Sequence, residues 1–281
     1  MNNIASNLIA KSGNFKPAKS RQLPVRDLRD WLSRVEGMGE LVRVRKPVNR
    51  DEEMSAVSYL VAKMQPSPAV LFEQARGFEN RTVKTRMLWN ILGPSLKRIA
   101  LTLEEPTNTP TVELIRRTKE KLKRRISPRE VGRHEAPVYE NSIFGKKIDL
   151  NHLPIPRHWP LDGGRYAGTA DAVITRDPDS GYLNIGTYRM MLQGKSEVGL
   201  YLSPGKDARL HITRSWQQGK PIEVAAAWGI DPLFMLTAVR FDFSGRDAWH
   251  GFFCVLSVRQ RSRHGKEPTP CCTRIAYSTV Y

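Results

Sequence analysis

An amide at Asn184 and a guanidinium at Arg189 stand five residues apart within the apolar stretch LNIGTYRMML, residues 183–192. Polar groups in such company need partners. A ligand that exchanges hydrogen bonds with both is one reading. The other is that Arg189 pairs with an acid such as Asp171 while Asn184 closes a turn. The two residues occupy the second arm of a predicted β-hairpin, VITRDPDSGYLNIGTYR, residues 173–189. Pro178, Asp179, Ser180 and Gly181 supply its turn chemistry, and Val173, Ile174 and Tyr182 suit strands. On a regular strand an odd separation sends Asn184 and Arg189 to opposite faces. A bulge at Gly186 would bring them to one site.

Other candidate motifs are weaker. Asp162-Gly163-Gly164 and Ser203-Pro204-Gly205-Lys206 are turn segments beside β runs. Glycine-rich backbone with a nearby lysine can hold a phosphate through its N–H groups, although most such loops are only loops. His152, His158 and His211 have no metal-ligand spacing and suit core or surface roles. Neither a nucleophile elbow, a Walker loop nor an H-E-x-x-H motif is present. Cys254, Cys271 and Cys272 all fall late in the chain and make no zinc spacing. They imply a reduced compartment.

These residues need elements to position them. Leu28, Trp31, Leu32 and Val35 have helical spacing, and LVRVRKPV (41–48) alternates like a half-buried strand. Met54, Val57, Val61 and Met64 mark a second helix, with Asp51, Glu52 and Glu53 at its positive end. AVLFEQ (69–74) and TRMLWNIL (85–92) are predicted strands, and Gly93-Pro94 leads into a helix to about Leu103. Alternating helices and strands predict an α/β unit. A basic helix over 111–126 carries seven Arg and Lys against two Glu, with Val112, Ile115, Leu122 and Ile126 as its apolar stripe. Its basic side is a solvated face, an anion-facing or nucleic-acid-facing patch, or a subunit contact. Beyond Ser127-Pro128, short β runs (PVYENSIFG, ADAVITRD, LNIGTYRMML, EVGLYL, IEVAAAW) predict a mostly antiparallel β domain with one helix near Arg209–Gln218.

The net charge of +17 suits acidic small molecules and a phosphorylated cofactor. A 40% apolar share excludes a wholly disordered chain. No apolar run approaches the ~20 residues of a membrane span, so a cytoplasmic protein is the default expectation. Residues 1–22 are predicted to be a disordered tail, a weak targeting segment being the alternative. Residues 239–281 are predicted to be an unstructured basic tail.

The order of segments resembles the UbiD family of decarboxylases. DLRDWLSRVEGMGELVRV (27–44) is similar to the family's amino-terminal opening, and LPIPRHWPLDGGRYAGT (153–169) to its approach to the active site. RDPDSGYLNIGTYRMML (176–192) is the most specific segment, followed by VGLYLSPGKDAR (198–209) and AAAWGIDPLFMLTA (225–238). The likeness covers roughly residues 23–238. It implies an α+β chain with an amino-terminal α/β domain (23–126) and a partial split β-barrel that binds flavin (127–238).

The implied activity is non-oxidative decarboxylation of an aromatic, hydroxybenzoate-like, or α,β-unsaturated acid with prenylated FMN. A flavin prenyltransferase would supply the cofactor. By the same resemblance Asn184 ligates a divalent ion (Mn2+ or Mg2+, with K+ nearby in some members), and Arg189 is the catalytic arginine. Thr187, Tyr188, Arg189, Tyr201, Leu202, Ser203, Lys206 and Asp207 line the cofactor. Asp207 stands where many relatives have a metal-ligating histidine. An aspartate can also ligate a hard cation, but it adds negative charge beside the flavin phosphate.

Family members continue with a glutamate metal ligand, catalytic carboxylic acids and a carboxy-terminal oligomerisation domain that assembles homo-oligomers. The text from Val239 onward matches none of these, so a truncated or frame-shifted member is expected. An inactive remnant or accessory chain is the alternative function, and a basic nucleic-acid-binding protein a weaker third.

Overall fold

The computed structural model describes residues 24–79, 85–123, 132, 134, 136–168 and 170–238. The expectations for the two terminal tails lie outside the described residues. The chain opens on helix α1 (Leu28–Gly37), capped by the Asp27 carboxylate, which accepts the Asp30 N–H at 2.8 Å. As its spacing predicts, Trp31, Leu32 and Val35 are buried. Strand β1 (Leu41–Val44) then pairs in parallel with β2 (Ala69–Phe72), and β2 pairs antiparallel with β3 (Met87–Trp89). Helix α2 (Glu53–Ala62) makes the crossover. Central β2 is buried along its whole length, which is why AVLF is unbroken by polar residues.

Helix α3 (Leu96–Thr102) contributes Arg98, whose side chain is 0% exposed. Arg98 bonds Glu40 at 3.1 Å, the Ser67 carbonyl at 2.8 Å and the Leu92 carbonyl at 3.0 Å. One cation thereby ties three loops at the end of the first sheet.

Helix α4 (Thr111–Lys121) corrects the expected stripe: Val112 is 80% and Ile115 63% exposed. The helix turns Leu114 inward instead, because Arg117 and Lys121 reach buried Glu105 at 2.9 and 2.7 Å. Leaving that carboxylate unpaired would cost more than exposing two aliphatic side chains.

The strand predicted at PVYENSIFG is also absent. Single 3₁₀ turns stand at Pro137–Tyr139 and Gly145–Lys147, because i→i+3 bonds such as Ile148 N–H to the Gly145 carbonyl (3.1 Å) use the backbone locally. A third turn follows at Leu150–His152.

The rest is built on two antiparallel three-stranded sheets rather than a closed barrel. One has the order β4 (Tyr166–Gly168), β7 (Arg189–Leu192), β8 (Val198–Tyr201). The other has the order β6 (Leu183–Gly186), β5 (Ala172–Arg176), β9 (Val224–Ala227). Helix α5 (Asp207–Gln217) packs on β5 and β6, and α6 (Pro232–Ala238) packs on the same two strands. Val173, Met190, Ala208 and Ile212 share one core beneath α5.

The predicted hairpin is present, with β5 and β6 in register from Val173↔Gly186 to Arg176↔Leu183. Its second arm, however, is two strands. The chain leaves one sheet after Gly186 and joins the other at Arg189, so no in-strand bulge is needed. At this crossover the Tyr188 ring folds back over Gly186, where a Cβ would lie 2.5 Å from the ring. Asp171 closes the same junction: its Oδ1 accepts the Tyr188 N–H at 3.2 Å, and its buried Oδ2 has no hydrogen-bond partner among the described residues. A Cβ on Gly168 would lie 2.0 Å from that oxygen.

Two measurements test this junction. Gly186→Ala should destabilise by about 1–3 kcal/mol through overpacking, and the loss should shrink in a Tyr188→Ala background. Equal losses in both backgrounds would show that the ring is not the obstacle. Burial pushes the Asp171 carboxyl up to about 7, against the backbone N–H groups of Tyr188 and of Asp171 itself. The folded state therefore holds a proton that the unfolded state releases near pH 4, and stability falls as pH rises from about 4 to 7. Asp171→Asn should remove this slope, gaining a few kcal/mol in chemical denaturation at pH 8 and little at pH 4.

Candidate functional site

The crossover delivers its side chains to the start of α5. Asn184 lies opposite Thr175 on the α5 face of the sheet and is 3% exposed. Its Nδ2 donates to the Tyr188 hydroxyl at 3.3 Å. That hydroxyl also receives the Ala208 backbone N–H and feels the Asp207 charge; burial is the largest of the effects that raise its pKa. An amide, a phenol, a backbone N–H and a carboxylate thus converge at one helix end. The bond from Nδ2 orients the Asn184 amide, so its oxygen is the group left to face another ligand.

The segment leading into α5 is shaped for a sharp approach. Ser203-Pro204-Gly205-Lys206 forms a β-turn, with Lys206 N–H to the Ser203 carbonyl at 3.3 Å and Gly205 at φ 80°. Proline followed by a positive-φ glycine is what a type II turn requires. Helix α5 then begins at Asp207 with no cap from the Lys206 side chain; Tyr188 takes the Ala208 N–H, and the helix dipole at this end favours an anion.

Other predicted residues lie apart from this cluster. Tyr201 is 62% exposed and pairs across the strands with Arg189, which is also exposed. The Arg189 guanidinium makes no hydrogen bond or ion pair among the described residues. The alternative pairing with Asp171 is therefore not formed; that carboxylate takes the Tyr188 N–H instead. Thr187 is half-buried at the crossover, and the Leu202 side chain belongs to the core. In the Asp162-Gly163-Gly164 loop, the Asp162 carboxylate already accepts the N–H groups of His158 and Trp159, at 3.1 and 2.9 Å. That loop is closed on itself.

Two residues beside the cluster were not singled out by spacing. Thr175 Oγ1 meets His211 Nδ1 at 3.0 Å, and the Tyr182 ring stands edge-on to the imidazole at 6.0 Å. Burial holds the His211 pKa down. The signal was available, since His211 is one helical turn from Asp207 and Thr175 is the register partner of Asn184. No group of three or more His, Cys, Asp or Glu is gathered for a metal among the described residues. Asn184 and Asp207 offer two oxygen donors. No helix among the described residues is long and apolar enough to cross a membrane.

Both sheet systems are similar to known proteins. Residues 32–118 match the 3-octaprenyl-4-hydroxybenzoate carboxy-lyase N-terminal domain, and residues 129–244 match the Rift-related domain of the same carboxy-lyase. An uncharacterised protein of Aquifex aeolicus is 35% identical over 74% of this chain and 44% of its own length. The Sedimentibacter hydroxybenzoicus vanillic acid decarboxylase, in closed form, is 30% identical with a TM-score of 0.69, over 76% of this chain and 44% of that one. An evolved dimeric form of the UbiD-class enzyme HmfF from Pelotomaculum thermopropionicum, in complex with prenylated FMN, is 28% identical. Its TM-score is 0.64, over 73% of this chain and 45% of that one. The chain spans less than half the length of these relatives. Two successive domain matches, in the order in which the two sheet systems occur here, lead to one conclusion: the chain belongs to the UbiD family of carboxy-lyases.

Proposed function

We propose that this chain supplies the cofactor-holding part of a carboxy-lyase that removes carbon dioxide, without oxidation, from a hydroxybenzoate-like or α,β-unsaturated acid. Residues 23–126 act as its amino-terminal domain. Residues 127–238 act as its cofactor domain, the two antiparallel sheets being part of a split barrel. The observation that carries this reading is the meeting of Asn184, Tyr188 and Asp207 at the start of α5. The donor set fits the expected groups. An amide oxygen and a carboxylate are hard ligands suited to Mn2+ or Mg2+, and a helix N-terminus suits a flavin phosphate.

Prenylated FMN, when bound, supplies an electron sink for the charge that departing carbon dioxide leaves behind. The chain's own residues bind and orient. Asn184, held by Tyr188, and Asp207 would hold the divalent ion. Ser203, Lys206 and the positive end of the α5 dipole would meet the phosphate, with Thr187, Tyr201 and Leu202 along the cofactor. Arg189 has no partner among the described residues, and its planar guanidinium suits the substrate carboxylate through two parallel hydrogen bonds. Asp207 in place of a neutral imidazole raises the negative charge next to the phosphate, so the ion becomes a condition of flavin binding.

Titrating FMN into the chain while following flavin fluorescence tests this. Quenching should require Mn2+ or Mg2+ and reverse with a chelator. Asn184→Ala and Asp207→Ala should each weaken binding about tenfold or more, while Arg189→Ala changes it less than about twofold. FMN binding that ignores both the metal and these two substitutions would refute the assignment.

A further inference from the structure

A second polar site lies where the first sheet system meets the second. Here an open cleft of about 460 Å³ is lined by Asp51, Arg157, Gly164, Arg165 and Leu192. Asp51 receives two parallel bonds from Arg165, Nε at 3.1 Å and Nη2 at 2.8 Å, and the Arg157 backbone N–H at 3.0 Å. Glu52 accepts from Arg157 Nη2, and its own N–H donates to the Arg157 carbonyl at 2.8 Å. Arg50 stands behind them, donating to the Leu153 carbonyl at 3.2 Å with its guanidinium 4.8 Å from the Phe78 ring centre.

Three features distinguish this cleft from a simple ion-paired seam. Glu52 has φ 67°, a left-handed conformation uncommon for a side chain of its size. The strain lets two successive carboxylates grip two different arginines. Secondly, three guanidiniums stand around two carboxylates, Arg50 bonding neither, so the group keeps one net positive charge. Burial and the neighbouring Arg165 both pull the Arg50 pKa down, which records the crowding of like charge. Thirdly, Arg165 Nη1 and Arg157 Nε and Nη1 form no hydrogen bond among the described residues. Guanidiniums fixed by one carboxylate, with donors left over, are preorganised for a further oxyanion.

We infer that this cleft binds the carboxylate of a small monoanionic organic acid, with its apolar body against Leu192. A single net positive charge beside two carboxylates suits a monoanion and disfavours a phosphate dianion. The volume suits a ligand of ring size. Gly164 keeps the wall low, since a Cβ there would approach Met191 Sδ to 3.1 Å. The cleft shares no residue with the Asn184, Tyr188 and Asp207 cluster. Recognition here uses neither flavin nor metal, so its test is separate from that of the cofactor site.

Benzoate is the probe, titrated into the full 281-residue chain without flavin or metal. It should move the side-chain Nε NMR resonances of Arg157 and Arg165 saturably, and inorganic phosphate should act about tenfold more weakly. Arg157→Gln, at a half-exposed position, should weaken benzoate about tenfold. Glu52→Gln, which removes a negative charge, should tighten it, and thermal unfolding of each variant checks the fold. Absence of saturable shifts, tighter binding of phosphate, or benzoate affinity unchanged in Arg157→Gln would each overturn the inference. Should Arg157→Gln fail to fold, unchanged or weaker binding by Glu52→Gln would overturn it alone.

Discussion

The candidate cofactor site depends on the missing Cβ of Gly186. Because nothing projects from that position, the Tyr188 ring can lie back over β6. The backbone then passes from one sheet to the other between Gly186 and Arg189. That passage buries the phenol, brings its hydroxyl to Asn184 and to the first turn of α5, and releases Arg189 to the exposed face of a different sheet. A strand that continued without the crossover would set amide and guanidinium on opposite faces of one sheet. The crossover replaces that fixed alternation with two independent placements. Asp171 holds the passage through the Tyr188 N–H, at the cost of a carboxyl whose pKa burial raises to about 7.

Elsewhere, buried or half-buried charge decides orientation where apolar pattern alone is ambiguous. Arg98 joins three loops around the first sheet, and Glu105 selects which face of α4 turns inward. Asp51 and Glu52 do the same between the two sheet systems. Of the acids expected at the start of α2, Glu53 stands in its first turn, while Asp51 and Glu52 also pair with Arg165 and Arg157. In each case a group that would be costly to desolvate alone finds a partner distant in sequence. The packing follows from that requirement as much as from hydrophobic burial.

Much of the framework was legible from local pattern. The spacing of Trp31, Leu32 and Val35, the unbroken AVLF run, the Pro-Asp-Ser-Gly hairpin turn and the Ser-Pro-Gly-Lys turn all encode geometry within a few residues. Each has the predicted form. Failures came where local signals competed with distant ones. Val112 and Ile115 look like a core stripe until Glu105 claims the other face, and PVYENSIFG has strand composition but forms only a 3₁₀ turn at each end. At the site, resemblance to a family pointed to Asn184, Tyr188 and Asp207, which spacing by itself left open.

What the sequence alone determined, then, is most of the inventory: the helices and strands of the first sheet system, the hairpin with its turn, and that one hairpin arm carries an amide and a guanidinium in apolar company. Those properties rest on interactions within a turn or between adjacent strands. Only the tertiary structure decided that the arm divides between two sheets, that Tyr188 rather than Arg189 closes over Asn184, and that Asp171 serves a backbone N–H instead of Arg189. It alone also set Arg157 and Arg165 against Asp51 and Glu52, more than a hundred residues away. Such contacts depend on burial and on charges from separate elements, and no local period in a sequence records either.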